Sequence, residues 1–483
     1  MKVLFIFKSE NFLAPIGLCA ISAMAIKKGH KTYLCEINSQ NPLKCIADLK
    51  PDVVAYSSST GEAKHYLRLN LIIKQKFPHI FTVMGGPHST FYPEVIYEEG
   101  LDAVCVGEGE DAFIDLLGAL SNKQSLENIP NIVIKDNKDK FNVRHLVEDL
   151  DILPFPDYAL IYDNTPIGKY PLKNIITSRG CPYDCTYCFN SAWRKIYTGR
   201  GKSVRRHSVD YVIDEIRCVK DRWALSCVKF YDDIFTYSAD NWLEEFSQKY
   251  KKYINLPFFI LTRADLLTED MVKLLRNAGC RTISMSIEAG NADIRNKVLR
   301  RNMSNKQIVD AHRLCDKYGI YTFTNCILGL PGTTIDNDIE SIDLAIRAKV
   351  TWAEFPIFYP YPKTELGQYA VKMGLYKPDY EKMHTSYQYR SLLNCFTEKQ
   401  KNAQMNLSVL GAVAIALPRF RSLIVRYLIY IQHNPFFTLV YYLTKMYVLR
   451  KKIYVTRTAF WESIRIFVRS LKQEWFRHED QRG

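Results

Sequence analysis

The chain has 483 residues, too many for one hydrophobic core, and is 47% hydrophobic, which predicts two or three ordinary globular domains. The opening run, MKVLFIFKSEN, is too short for a secretory signal, so the thirteen cysteines are predicted to be reduced thiols in a cytoplasmic protein, not a disulfide framework. The formal net charge of +14 is uneven, because residues 401–483 hold fourteen Lys and Arg against four Asp and Glu and leave a nearly neutral body.

Residues 1–125 alternate short apolar runs with helix-compatible stretches. The alternation predicts a parallel sheet with helices on both faces, a doubly wound, flavodoxin-like α/β domain. Ligands of such sheets bind beyond the C-terminal ends of the strands. The loops at that edge are Ser57–Thr60, Gly85–Thr90 and Gly107–Glu110, and their glycines allow the backbone to approach a ligand.

Two features near the end of this region have other interpretations. GEGEDA formally fits a dinucleotide-binding pattern, but it follows the fifth strand and its acidic side chains would repel a pyrophosphate. Residues 126–170 are predicted to form a hairpin, with its turn at Asp136–Asn137, and then a proline-stiffened linker, DILPFPDYAL.

Residues 171–370 repeat the alternation. Six candidate strands, each followed by a helix-like segment, predict a partial (β/α)6 TIM-type barrel with its chemistry at the C-terminal ends of the strands. Polar or glycine-rich residues follow five of these strands, namely Cys181–Cys188, Asp232–Asp233, Arg263, Glu288 and Gly329–Gly332.

The stretch TSRGCPYDCTYCFN places three cysteines, Cys181, Cys185 and Cys188, within eight residues. A structural zinc site needs four ligands, and an ordinary ferredoxin cluster also uses four thiolates. Three thiolates on a [4Fe-4S] cluster would leave one iron open to a substrate. The spacing alone leaves a chance cluster in a cysteine-rich chain as the alternative.

With Tyr187 as the aromatic residue, C-x₃-C-x-aromatic-C resembles the signature of the radical S-adenosylmethionine (SAM) superfamily. The resemblance implies that the open iron chelates SAM. Reductive cleavage, with electrons from a donor such as flavodoxin or ferredoxin, then gives a radical that abstracts hydrogen from unactivated carbon. The SAM contacts that it implies are Tyr187, Asp232 or Asp233 in place of the usual GGE, Arg263, Glu288, Gly329, Leu330 and Pro331.

These residues also have structural interpretations. Asp232–Asp233 could cap the following helix, Arg263 could form an ion pair, and Gly329–Gly332 could be a strand-ending turn.

The first domain resembles the cobalamin-binding half of B12-dependent radical SAM enzymes. The motifs APIGLCAISAMAIKKGHKT, GGPHST, VGEGE and LPFPD occur in this order before the cysteines, and the resemblance covers residues 1–370. It implies cobalamin contacts and an outcome of methyl transfer or ring formation. No D-x-H-x-x-G motif is present, so a lower axial histidine is not expected, and His88 is interpreted as a loop residue. The implied contacts are Ser57, Ser58, Ser59, Gly85, Gly86, Pro87, His88, Gly107 and Glu108, and a side chain at Gly86 is expected to enter the corrin space.

Residues 371–483 form a helical, basic and apolar region. Its longest apolar run is interrupted at Arg426 and His433–Pro435. A membrane-spanning helix needs about 20 consecutive apolar residues, so this run is not predicted to span a membrane. We predict that residues 405–475 lie on the inner surface of a membrane and bring the enzyme to a lipid-like substrate. The residues that motivate this are Arg450, Lys451, Lys452, Phe460, Trp461, Ile464, Arg465, Phe467 and Arg469.

Two alternatives remain for this tail. One is a helical cap that packs on the barrel. The other is an RNA-modifying, methylthiotransferase-like enzyme. Two observations disfavour it. Tails that bind nucleic acid are usually polar, and such an enzyme has three further clustered cysteines, whereas Cys19, Cys35 and Cys45 are scattered here.

Overall fold

The computed structural model describes residues 1–9, 13–98, 100–136, 141–361, 363–379, 383 and 388–454. Two six-stranded sheets and one two-stranded ribbon form the framework. Across the described ranges, no helix is both long and apolar enough to cross a membrane.

The first sheet has the strand order β2-β1-β3-β4-β5-β6, with β1 to β5 parallel. Alternate residues of each strand enter different cores: Phe5 and Val83 face one, and Leu4 and Met84 face the other. Because both faces are buried, the strands are continuous apolar runs. The elements are β1 (Lys2–Phe7), α1 (Ile16–Lys27), β2 (Lys31–Glu36), α2 (Pro42–Leu49), β3 (Val53–Ser57), α3 (Ala63–Lys76), β4 (Phe81–Gly85), α4 (Pro87–Phe91), β5 (Ala103–Cys105), α5 (Glu110–Ser121) and β6 (Ile132–Val133).

The hairpin predicted after residue 125 stays a prediction, because its turn lies only partly within the described residues. β6 pairs antiparallel with β5, with Val133 opposite Val104, so this sheet extends beyond the predicted domain boundary. Pairing there satisfies the backbone groups of an edge that would otherwise be open. Asn137, one of the two predicted turn residues, lies outside the described residues.

The second sheet has the order β7-β10-β11-β12-β13-β14, all parallel, and is open between its first and last strands. The predicted (β/α)6 partial barrel is therefore confirmed. Its elements are α6 (Ala159–Tyr162), β7 (Leu172–Ile175), β8 (Ser178–Arg179), α7 (Phe189–Ile196), β9 (Arg205–Arg206), α8 (Val209–Arg222), β10 (Cys227–Phe230), α9 (Asn241–Lys249), β11 (Phe258–Thr262), α10 (Glu269–Ala278), β12 (Cys280–Met285), α11 (Asn305–Lys317), β13 (Tyr321–Asn325), α12 (Ile335–Arg347), β14 (Trp352–Glu354) and α13 (Glu365–Lys372).

Three further helices cover the β14 side of the barrel, namely α14 (Glu398–Ala416), α15 (Arg421–Arg426) and α16 (Pro435–Val448). A capping box at Thr397 and Gln400 starts α14, whose apolar residues join the barrel core. The hydroxyl of Thr282 on β12 donates to the carbonyl of Ile453 (2.9 Å). The inner face of the tail is thus a helical cap on the barrel. Residues 455–475 lie outside the described residues, and they include Phe460, Trp461, Ile464, Arg465, Phe467 and Arg469.

Gly290 lies against α12, and its backbone N–H donates to the Ser341 hydroxyl (2.9 Å). A Cβ at this glycine would lie 2.3 Å from the carbonyl carbon of Glu340. We expect Gly290→Ala to lower the free energy of unfolding by about 1–3 kcal/mol, because backbone cannot move aside cheaply. Gly118→Ala in α5 is the matched control, since a Cβ there meets nothing within 4 Å.

Denaturant unfolding followed by circular dichroism measures both variants. Helix propensity predicts that Gly118→Ala is neutral or stabilising by up to about 1 kcal/mol. Equal stability of the two variants would contradict the packing described at Gly290.

Candidate active site

The three clustered cysteines lie on the loop between β8 and α7. Cys185 is buried, Cys181 and Cys188 are half-buried, and Cys188 directly precedes the helix. Burial, and then Asp233 and the neighbouring cysteines, raise the pKa of the Cys181 thiol and raise that of Cys188 to about 12. In the described part of the chain, no three His, Cys, Asp or Glu side chains are grouped to hold one metal ion. Three thiols on one loop suit an iron–sulfur cluster, which proteins hold through cysteine thiolates.

Two arginines approach Cys185. The Nη1 atoms of Arg263 and Arg301 each lie 4.0 Å from its Sγ. Both guanidinium groups are buried, so two positive charges lie beside this sulfur. Arg301 was not predicted, since it lies in a loop without a recognisable motif and reaches the site only in the folded chain.

The predicted SAM residues Tyr187, Arg263 and Glu288 lie together around this loop. The Tyr187 hydroxyl donates to Glu288 Oε1 (2.9 Å) and also lies 3.4 Å from Arg301 Nη1. Burial raises the pKa of the Glu288 carboxyl, and Arg301 opposes that rise. Glu288 has a φ of 65°, a left-handed conformation that is strained for a glutamate and typical of functional positions.

The two aspartates after β10 have different surroundings. Asp232 Oδ1 accepts hydrogen bonds from the backbone N–H and hydroxyl groups of both Thr177 and Ser178, at 2.5–3.0 Å. Burial raises the pKa of Asp232 to about 6. Asp232 therefore anchors the segment that leads to the cysteines, while Asp233 lines a cavity. Their assignment as SAM contacts stays a prediction. Neither residue caps α9, whose N-cap is Asp240.

The predicted loop Gly329–Pro331 follows β13. The backbone N–H of Gly329 donates to Asp338 Oδ1 (3.1 Å), and its φ of 64° suits glycine. Leu330 is buried in a small hydrophobic core on which Tyr187 also packs, so the loop lies beside the other predicted SAM residues.

A cavity of about 560 Å³ lies between the first domain and the barrel. On one side it is lined by five of the predicted cobalamin contacts, Ser57, Gly85, Gly86, Gly107 and Glu108. Across it lie Phe189, Asn190, Trp193, Tyr231 and Asp233, close to the cysteine loop. The other predicted cobalamin contacts, Ser58, Ser59, Pro87 and His88, do not line it.

His88 is buried in α4, and burial lowers its pKa to about 4. Its backbone N–H donates to the carbonyl of Ser58 (2.9 Å), and its ring lies against Tyr92. His88 is therefore a helix residue and not the loop residue that was predicted, and its role toward cobalamin stays a prediction.

The floor of the cavity suits a large flat ligand. The sheet contributes Phe5, Ala55, Val83 and Cys105, and α1 contributes further apolar side chains. The rim is backbone, since Gly85, Gly86 and Gly107 present no side chain. A side chain at Gly86 was predicted to enter the corrin space, but the φ of Gly86 is 92° and a Cβ there would first lie 2.8 Å from the backbone nitrogen of Ser58.

The linker and α8 supply acid–base groups that sequence analysis did not single out. His207 Nδ1 lies 3.0 Å from Asp151 Oδ1, and the Tyr158 hydroxyl donates to Glu215 Oε1 (2.7 Å). His207 and Glu215 line the cavity. Burial raises the pKa of Glu215 to about 8.

This raised pKa predicts a pH dependence of stability. Folded Glu215 keeps its proton up to about pH 8, whereas an unfolded chain releases it near its ordinary pKa of about 4.3. The free energy of unfolding should therefore fall between about pH 5 and pH 8, by on the order of a few kcal/mol from this residue. Glu215→Gln keeps an acceptor for Tyr158 and should remove that share of the fall.

Urea unfolding at pH 5, 6.5 and 8 measures the effect. Glu98→Gln, at an exposed position, should unfold with the wild-type pH profile. A Glu215→Gln profile as steep as the wild type would contradict the assignment.

Two protein families match the chain: the radical SAM superfamily over residues 175–345 and the B12 binding domain over residues 3–117. An uncharacterized methyltransferase of Pyrococcus horikoshii is 28% identical over 375 residues, covering 75% of this chain and 79% of that protein. A hopanoid C-3 methylase of Methylococcus capsulatus is 26% identical, covering 65% of this chain and 61% of that protein. The structure of TsrM from Kitasatospora setae, a radical SAM methyltransferase with cobalamin and a [4Fe-4S] cluster bound, has a TM-score of 0.65 at 15% identity, covering 100% of this chain and 99% of that chain.

The family matches and the TsrM structure confirm the predicted fold class. The two family matches confirm the three cofactors, a [4Fe-4S] cluster, SAM and cobalamin. The alternative of an RNA-modifying enzyme gains no support from them.

Proposed function

We propose that this chain, which belongs to the cobalamin-dependent radical SAM enzymes, transfers a methyl group to an unactivated carbon of an apolar, lipid-like small molecule. One observation carries the proposal: the cavity that the predicted cobalamin loops border is also lined by Gly180 and Phe189, the residues that flank the three cysteines. A substrate in that cavity would lie between the two cofactors. Ring formation is the alternative outcome, and the product distinguishes it.

When bound, the cluster supplies the electron that cleaves SAM, and cobalamin supplies a transferable methyl group. Cys181, Cys185 and Cys188 would hold the cluster. Arg263 and Glu288 would orient the SAM carboxylate and ribose, Asp233 its amino group and Gly329–Pro331 its adenine. Ser57, Gly85, Gly86 and Gly107 would hold cobalamin, and the apolar floor would exclude water from the reacting atoms.

We predict that Cys185→Ala abolishes SAM cleavage. The protein is reconstituted anaerobically with iron, sulfide and hydroxocobalamin and reduced with titanium(III) citrate in place of a flavodoxin or ferredoxin donor. Loss of one of three thiolates should remove the cluster absorbance and 5′-deoxyadenosine formation, while cobalamin absorbance stays, because its loops belong to the other domain. Cys218→Ala, at an exposed cysteine outside the site, is the control.

The same preparation tests the reaction. Methyl-tritiated SAM is incubated with the enzyme and a bacterial lipid extract, and the phases are separated. Label in the apolar phase supports methylation of a lipid-like substrate. SAM cleavage with the label confined to water-soluble products would contradict that substrate class. Formation of 5′-deoxyadenosine by Cys185→Ala would contradict the assignment of the three cysteines as cluster ligands.

The C-terminal helices support the apolar substrate and a peripheral contact with the inner face of the membrane. Of the twenty-one exposed large hydrophobic side chains in the described structure, ten lie between Leu417 and Tyr447. Phe436, Leu439, Leu443 and Tyr447 recur every three or four residues along α16, which places them on one helix face.

Charge favours an anionic bilayer as the partner of this face. Residues 399–454 contain nine Lys and Arg and no Asp or Glu. Arg419, Arg426 and Arg450 are exposed beside the aromatic side chains. Each basic residue near an anionic leaflet contributes about 1 kcal/mol, and aromatic rings favour the headgroup region.

We expect the protein to float with phosphatidylglycerol vesicles at low salt and less so at high salt, because salt screens exposed charges. The double variant Leu443→Glu, Tyr447→Glu should lose flotation, since it places two carboxylates on the apolar face. Tyr253→Glu, at an exposed tyrosine distant in the chain, should float like the wild type. Equal flotation of all three proteins would contradict membrane contact through α16.

A further inference from the structure

The loop Gly107–Glu110 of the first domain is bound by side chains of the barrel. Glu108 accepts hydrogen bonds from both terminal nitrogens of Arg205, with Nη1 3.0 Å from Oε2, and Arg179 Nη1 lies 3.4 Å from the same Oε2. Arg179 Nη2 also donates to Glu110 Oε1 (2.6 Å). Two carboxylates and two guanidinium groups thus meet at the domain boundary, and the carboxylate of Glu108 is engaged by protein.

The two arginines belong to the ribbon that leads to the cysteines. Arg179 on β8 is the register partner of Arg205 on β9, so both guanidinium groups can reach the same loop. Only Gly180 separates Arg179 from Cys181. A Cβ at Gly180 would lie 2.0 Å from the carbonyl oxygen of Ser203, so the ribbon is tightly packed at this point.

A third contact comes from the other end of the cysteine loop. Helix α7 starts directly after Cys188, and Tyr197 follows its last residue. The Tyr197 hydroxyl accepts the backbone N–H of Glu108 (2.8 Å) and Asn131 Nδ2 (3.0 Å). At 1.5 Å per residue, the backbone of Tyr197 is about 13 Å along the helix from Cys188.

We propose that Glu108, Glu110, Arg179, Tyr197 and Arg205 form an interdomain clamp that sets the distance between the cluster and cobalamin. The clamp holds the loop that borders cobalamin from both ends of the loop that holds the cluster. These five are positioning residues, because they act through the two loops. The inference rests on the proposed function, since it needs both cofactors in the cavity.

Burial of the charged groups makes the clamp resist movement of the loop. The Arg205 side chain is 1% exposed, and that of Glu110 is 10% exposed. Arg179 and Arg205 keep the pKa of Glu110 below its usual value despite burial, and Glu108 and Glu110 raise the pKa of Arg179. A buried charge without its partner is strongly unfavourable, so the loop cannot slide without breaking these pairs. Since a misplacement of about 1 Å can cost about 100-fold in rate, such a contact matters for a reaction between two cofactors.

The test is the magnetic interaction between cob(II)alamin and the reduced cluster, measured without substrate. The variants are Tyr197→Phe, which keeps the ring and its packing on Trp193, and Arg179→Gln. We expect both to show unchanged cobalamin and cluster absorbance, but a severalfold weaker relaxation enhancement of the cobalt signal by the cluster. Arg179→Lys should restore part of it, because a positive charge remains.

Cofactor-free protein gives an independent readout. Hydrogen exchange at residues 107–110 should accelerate in Tyr197→Phe, because the amide of Glu108 loses its acceptor. Tyr318→Phe and Arg421→Gln, which break exposed contacts to Glu269 and Asp343, should match the wild type in both measurements.

The outcomes separate the two proposals. If the wild type binds neither cofactor, the proposed function fails. If the wild type binds both and shows the magnetic interaction, but Tyr197→Phe and Arg179→Gln match it with normal exchange, the proposed function stands and the clamp is wrong.

Discussion

Two sets of parallel strands end at one cavity, and every functional feature of the molecule depends on that arrangement. Parallel strands direct their C-terminal ends to one edge, where loops are free of the ladder and can bind ligands. The first sheet brings Ser57, Gly85 and Gly107 to this edge, and the barrel brings the cysteine loop. Neither edge alone encloses a site. Contacts between the domains, such as the two hydrogen bonds between Ala14 and Asn174 at 2.9 Å, therefore help to shape it.

Buried charge is the second constraint. Arg263, Arg301 and Glu288 are all buried around Cys185, where an isolated charge would be strongly unfavourable. Each has partners: Arg263 pairs with Asp265, Arg301 donates to the Ser286 carbonyl (2.7 Å), and Glu288 accepts from Tyr187. Such groups hold fixed orientations before any ligand arrives, which favours electrostatic preorganisation.

Regular patterns made most of the fold predictable. Apolar runs bounded by turns gave the five parallel strands of the first sheet and the six of the barrel, because burial on both faces leaves a strong signal. Tertiary contacts decided the rest. Strand β6 is too short to be identified from sequence, and nothing local indicates that it pairs with β5.

In the candidate site too, some residues were predictable from sequence patterns and others are brought in only by tertiary contacts. The cysteine triplet, Tyr187 and Glu288 were identified from motif and position, and they lie together. Arg301, Glu215 and Tyr197 come from a loop and from helices whose sequence gives no warning. Asp232 and Asp233 show the limit clearly: although they are adjacent in sequence, Asp232 accepts hydrogen bonds from Thr177 and Ser178 while Asp233 lines the cavity.

We propose that cobalamin and the iron–sulfur cluster lie on opposite sides of one cavity between the two domains. Anomalous scattering at the cobalt and iron absorption edges, from crystals of the reconstituted protein, locates both metals directly. We expect a cobalt peak beside Gly85, Gly86 and Gly107, and an iron peak at Cys181, Cys185 and Cys188, with the cavity between them. A cobalt peak outside this cavity, or iron away from the three cysteines, would contradict it.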